Sequence, residues 1–185
     1  PAATCTLVVQ YAPGIVSVGD NDTLNLQYND GVNVQNSLRT LTGVAVTPAN
    51  ITISEADPYD YGTVAQGAVL NHTFTLTNTG GFTASAIADI GLAAPFGFAG
   101  GSFPGAAGTC TATLAPAAAC TIVVAYSPTG TGASAGDIEI SYNNGASTVS
   151  SVRLLQGTGA APALITITDT DPYDYGNVTV GSTGL

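Results

Sequence analysis

Apolar and polar residues alternate along most of this chain. Leu70, His72, Phe74 and Leu76 fall on one parity, and Asn71, Thr73, Thr75 and Thr77 on the other. Successive side chains of an extended strand point to opposite faces, so this period predicts a half-buried strand with a Thr-lined outer surface. Residues 137–142 repeat the pattern with Ile138, Ile140 and Tyr142 inward, and residues 23–28 repeat it again with Leu24, Leu26 and Tyr28. Further strands are predicted at 5–11, 38–46, 50–53, 85–92, 110–114, 119–126, 148–156 and 163–168. Gly80-Gly81, Pro128 with Gly130, and Asn144-Gly145 punctuate them. Asn-Gly supplies the positive φ that a tight hairpin requires. No amphipathic helix emerges, and residues 84–94, despite their alanines, fit a strand better. Short strands about ten residues apart, separated by Gly and Pro turns, predict an all-β fold, an antiparallel β-sandwich.

The same pattern occurs more than once. Residues 51–67 return at 165–181, offset by 114, with 11 of 17 positions identical. Residues 1–13 match 116–128 at an offset of 115, with 9 of 13 identical. A period this long describes an array of whole domains rather than a solenoid of small units. The chain divides into residues 1–49, the closing part of one repeat; residues 50–163, a complete repeat; and residues 164–185, the opening of a further one. Val8, Val9, Leu24, Leu26, Ile165 and Ile167 would lack support in the partial repeats. Either the chain continues in both directions or neighbouring copies complete each half by strand addition, the first being favoured.

Composition narrows the function. Only 8% of residues are charged, against roughly 25% in typical globular domains, with two basic residues, Arg39 and Arg153, against twelve acids. Nucleic acid and anionic membrane surfaces both require a basic footprint that this chain lacks. No run of apolar residues is long enough to span a bilayer as a helix. The uncharged Thr, Ser, Asn and Gly surface suits an extracellular or cell-surface setting. Cys110 and Cys120 are predicted to form a disulfide, the alternative being two free buried thiols. Cys5 is the repeat counterpart of Cys120. A bridge fits an oxidising compartment.

The order of motifs resembles a known family. Residues 61–67 (Tyr-Gly-Thr-Val-Ala-Gln-Gly), 74–80 (Phe-Thr-Leu-Thr-Asn-Thr-Gly), 114–116 (Leu-Ala-Pro), 120–128 and 155–159 (Leu-Gln-Gly-Thr-Gly) follow one another as in the choice-of-anchor D type repeat of bacterial surface proteins. The chain is similar more distantly to ASH/Hydin and major-sperm-protein-like β-sandwiches. The resemblance implies immunoglobulin-like sandwiches in tandem on large exported proteins, and it carries no catalytic set.

Candidate chemistry is sparse. His72, the sole histidine, lies on an inward strand position and reads as a structural, half-buried residue; no nucleophile elbow accompanies it. Glu55, Asp57 and Asp60, recurring as Asp169, Asp171 and Asp174, cluster at the repeat boundaries. They read either as turn formers or as a Ca²⁺ site stiffening the junction. Arg39 and Arg153 are equivalent and are expected to offset such acids. Phe96, Phe98 and Phe103 in one Gly-rich loop suggest an aromatic binding shelf. The expectation is a non-enzymatic spacer or stalk module of an extracellular fibre or adhesin, its partners being neighbouring repeats. A glycan- or protein-binding module using the aromatic loop is the alternative.

Overall fold

The structure, a computed structural model, describes residues 3–183. It is all-β among those residues. Eleven strands run in chain order: β1 (Ser17–Asn29), β2 (Val34–Ala45), β3 (Ile51–Ile53), β4 (Tyr59–Ala65), β5 (Leu70–Asn78), β6 (Ala84–Asp89), β7 (Phe96–Phe98), β8 (Thr113–Leu114), β9 (Ala119–Tyr126), β10 (Gly132–Asn143) and β11 (Thr148–Ala160). A four-stranded sheet has the order β3-β5-β9-β7, and a five-stranded sheet the order β4-β11-β10-β6-β8. The hairpin β1-β2 forms a separate two-stranded sheet. All pairings are antiparallel except β11 with β4.

The larger sheets share one core, because the inward parities of both are apolar. Phe74, Leu76, Ile122, Val124, Tyr126 and Phe96 from the four-stranded sheet meet Ile138, Ile140, Tyr142, Leu155, Tyr61 and Ala84 from the five-stranded one. Phe74, Ile122, Val124, Tyr126, Ile138 and Ile140 are fully shielded from solvent. At about 25 cal/mol per Å² of apolar surface removed from water, such a cluster is the main stabilising contribution. The chain passes from one sheet to the other between β3 and β4, through the acidic turn at residues 54–58.

The two hairpins share one register from Asp20↔Gly43 and Ser134↔Gly157 to their turns. Leu24 faces Arg39 across β1-β2, and Ile138 faces Arg153 across β10-β11. Both turns close with the same four bonds. The Asn29 side chain accepts from Gly31 N, the Asp30 carboxylate accepts from Val32 N and Asn33 N, and Asp30 N donates to Asn33 O. Asn143 accepts from Gly145 N, Asn144 accepts from Ala146 N and Ser147 N, and Asn144 N donates to Ser147 O. Gly31 and Gly145 take φ of 100° and 97°, a region that side chains with a Cβ rarely visit.

Two expected strands, 5–11 and 163–168, are not strands. By the repeat offset, 5–11 corresponds to β9, which is held between β5 and β7, whereas 5–11 pairs with no strand among the described residues. A strand without a ladder leaves its backbone groups to water. Two strands were missed: β4, hidden behind Asp57-Pro58, and β7, only three residues long.

Candidate functional site

The acidic turn builds the most polar part of the complete unit. Its carboxylates separate rather than converge. Asp57 Oδ1 accepts from Leu154 N at 3.0 Å, while its Oδ2 lies 3.7 Å from Arg153 Nη1. Asp60 turns the other way, accepting from Gly62 N and Gln156 Nε2. Glu55 Oε1 points at His72 Nε2, 3.6 Å away. Each carboxylate is thus drawn to a different donor. Among the described residues no group of three His, Cys, Asp or Glu side chains is placed to hold a metal ion. The Ca²⁺ reading of Glu55, Asp57 and Asp60 finds no common coordination point, and the turn reading accounts for their bonds. Asp169, Asp171 and Asp174 lie on an exposed segment without strand structure, where Asp174 accepts from Gly176 N as Asp60 does from Gly62 N.

What the cluster does is bind a seam. β3 belongs to one sheet and β11 to the other, so no backbone ladder joins them. Side chains of the hairpin supply the link. Tyr142 Oη accepts from Ile51 N, Ser151 Oγ donates to Ile51 O, and Arg153 Nη2 donates to Ile53 O. Asp57 then continues the edge of β11, taking Leu154 N just before β4 begins its parallel pairing at Leu155↔Tyr59. Hydrogen bonds with one charged member are roughly twice as strong as neutral ones. Arg153 is half-buried, and its Nε has no partner among the described residues. Arg39, its counterpart, is exposed and makes no ion pair among the described residues.

His72 belongs to an aromatic group behind this seam. Its ring stacks on Tyr59 at 4.1 Å, and Tyr59 Oη lies 2.8 Å from Nδ1. Burial, then the Glu55 and Asp60 carboxylates, push the Tyr59 hydroxyl up. Tyr59 Oη and His72 Nδ1 share a hydrogen bond, and His72 Nε2 lies toward Glu55 without a hydrogen-bond partner among the described residues. Burial also pushes Tyr61 up, and its hydroxyl donates to Val124 O. Among the described residues no Ser, Thr or Cys side chain hydrogen-bonds His72.

Cys110 and Cys120 are bonded, with Cα atoms 4.8 Å apart, and Cys5 is free and exposed. The bridge pins the loop before β8 to the start of β9. The aromatic loop is not an open shelf. Phe96 and Phe98 are buried on the inward parity of β7, and half-buried Phe103 packs edge-on against Phe98 at 5.6 Å. The reason is pairing: β7 runs along β9, and the chain beyond it stays bound, Ala99 N donating to Val123 O and Val123 N to Pro104 O. The sequence did not single out Tyr142 and Ser151 as seam residues, or Tyr59 as part of the aromatic group behind the seam. The alternation Tyr59-Asp60-Tyr61 was the available signal.

No protein-family model and no curated protein matches this chain. Solved structures give partial likenesses. The VesB protease of Vibrio cholerae aligns with TM-score 0.45 at 16% identity, covering 58% of this chain and 31% of that one. The ASH/PapD-like domain 7 of human CEP192 aligns with TM-score 0.45 at 15% identity, covering 63% and 89%. A protein of unknown function from Porphyromonas gingivalis W83 aligns with TM-score 0.43 at 11% identity, covering 80% and 68%. The aligned part is less than a third of the VesB chain. At such values the likeness assigns neither family nor activity.

Proposed function

We propose that this chain is a structural module, a run of immunoglobulin-like antiparallel β-sandwich repeats acting as spacer or stalk in an extracellular or cell-surface fibre or adhesin. The observation that carries this reading is the duplicated hairpin, with the same turn hydrogen bonds in both copies and the same register from the turn back to Asp20↔Gly43 and Ser134↔Gly157. A catalytic protein has no need to repeat such a scaffold; a spacer gains length from each copy. The disulfide supports an oxidising compartment. The polar groups at the repeat boundary are engaged in holding strands together, which suits a load-bearing role.

The test is immunogold labelling of intact cells of the source organism with antibodies against residues 50–163. The expected result is gold outside the cell, displaced from the envelope by the length of the stalk. Gold confined to the cytoplasm would overturn the reading.

A further inference from the structure

We infer that residues 46–50, the connection between the β1-β2 hairpin and the complete unit, form a locked joint, so that hairpin and unit move as one rigid body. The inference deepens the spacer reading and rests on its division into repeats. β2 ends at Ala45 and β3 begins at Ile51. The connection, Val-Thr-Pro-Ala-Asn, has none of the Gly and Ser of a flexible tether. Pro48 fixes its own φ and restricts Thr47 before it. Slack is also missing on the hairpin side: Ser17↔Ala45 is its last pair, and Ala45 is buried.

The complete unit holds each residue of the connection. Gly81 N donates to Thr47 Oγ1 at 2.8 Å and to Thr47 O at 3.2 Å. Ala49 N donates to Asn144 O in the β10-β11 turn at 3.0 Å, and Ala49 is 4% exposed. Asn50 N donates to Asn78 Oδ1, Asn50 Nδ2 donates to Thr79 Oγ1, and Asn50 O accepts from Thr79 N. Val46 and Pro48 are held by fit. A Cβ on Gly80 would clash with Pro48 O and lie 2.6 Å from Ala49 Cα; one on Gly81 would lie 3.2 Å from Val46 Cβ. Neither glycine takes a positive φ, so what each supplies is the absence of a side chain. The Phe82 ring stands over Gly145, which joins the loop after β5 to the β10-β11 turn. The connection thus runs through a slot walled by two turns of the unit that follows it.

A hinge needs a few residues free to absorb a change of φ and ψ. None of these is free. Bending here must break several of the bonds together and uncover Ala49. Joints of this kind make an array a rod, whose length grows in proportion to the number of copies; flexible joints would give only its square root. Pro48 and Ala49 recur at the next boundary as Pro162 and Ala163.

The experiment is ¹⁵N relaxation and amide exchange on the 185-residue chain. Two variants accompany it: Gly80→Ala, which obstructs the slot, and an insertion of Gly-Ser-Gly between Ala45 and Val46, which leaves the slot intact and adds a hinge. In the wild type, residues 17–45 are expected to tumble with the same correlation time as residues 50–163. The insertion should give the hairpin a shorter correlation time than the unit while Ala49 and Gly81 stay protected. Gly80→Ala should also uncouple the hairpin, and should speed exchange at Ala49 and Gly81 about tenfold or more by opening the slot locally. Unchanged amide shifts at Ile122 and Val124 show that the core of that variant is folded. A wild-type hairpin that tumbles as freely as in the insertion variant overturns the inference, whatever becomes of Gly80→Ala. So does a folded Gly80→Ala variant that still tumbles as one body. Either result leaves the spacer reading to cell labelling, because a hinged array still spans a distance.

Discussion

The ring of Tyr126 occupies the space that a side chain at Gly157 would need: a Cβ there would lie 2.7 Å from ring carbon Cε1. Tyr11 stands over Gly43 at the same 2.7 Å. Neither glycine adopts a positive φ, so what each site requires is the missing side chain. The two sites differ in freedom. Tyr126 is fully buried and stacks on Phe96 at 4.9 Å, while Tyr11 is half exposed. Gly157→Ala should therefore destabilise the protein by about 1–3 kcal/mol, the range for overpacking a tight core. Gly43→Ala should cost little, because Tyr11 can swing aside. Urea unfolding monitored by tyrosine fluorescence checks the order, and equal effects would contradict it.

The two turns differ in one titratable group. Asp30 does in the first hairpin what neutral Asn144 does in the second. Hydrogen bonds from the Asn33 and Val32 amides, then from Gln35, hold the Asp30 carboxyl below its ordinary 3.8. A depressed carboxylate contributes stability above its unfolded pKa and loses it as pH falls through the folded value. Acidification from neutral pH to below 3.8 should release the Val32 and Asn33 amides and leave Ala146 and Ser147 in place. Amide chemical shifts across that range test this. Asp30→Asn should abolish the difference.

Much of the architecture could be read from the residues, and the failures have a common cause. Period-two patterning located β5, β10 and β11, because in each of them more and less buried positions alternate. It located 5–11 and 163–168 equally well, yet these are not strands, since alternation reports a capacity to pair and says nothing of whether a partner is present. Phe96, Phe98 and Phe103 show the reverse failure. A loop of Gly, Pro and Phe has no period, so the sequence could not say that β7 continues the sheet and turns two rings inward. The acidic turn was legible as a place, but its role in holding a seam depends on Tyr142, Ser151 and Arg153, about a hundred residues away.

Removing the bridge should weaken the unit without abolishing its fold. Cys110 and Cys120 are ten residues apart, and closing so short a loop stabilises by roughly 2–3 kcal/mol in the chain-entropy model. Cys110→Ala should lower the unfolding free energy by about that amount, and added reductant should have no further effect on the variant. Non-reducing peptide mapping should recover Cys110 linked to Cys120 and Cys5 free. A Cys5–Cys120 link would contradict the pairing.

Asn78 should be the most sensitive polar position. It is the one fully buried polar side chain among the described residues, shielded at the end of β5. Its Oδ1 accepts from Asn50 N and Gly80 N, and its Nδ2 donates to Phe82 O and Leu114 O. One side chain thereby ties the entry to β3, the turn after β5 and the end of β8. Asn78→Ala would leave two amides and two carbonyls without partners, and each such buried group costs about 1–3 kcal/mol. A loss of about 3 kcal/mol or more is expected after partial relaxation. Asn78→Asp separates shape from hydrogen bonding. It keeps both acceptor bonds but turns an oxygen toward the Phe82 and Leu114 carbonyls. Only a protonated carboxyl can donate there, so its folded pKa is raised above the unfolded value. Stability of that variant is then retained at low pH and lost as pH rises through the folded value. Urea titrations at acid and neutral pH should show the Asn78→Asp variant falling further behind the wild type at neutral pH. A constant gap would mean that the amide nitrogen contributes nothing there.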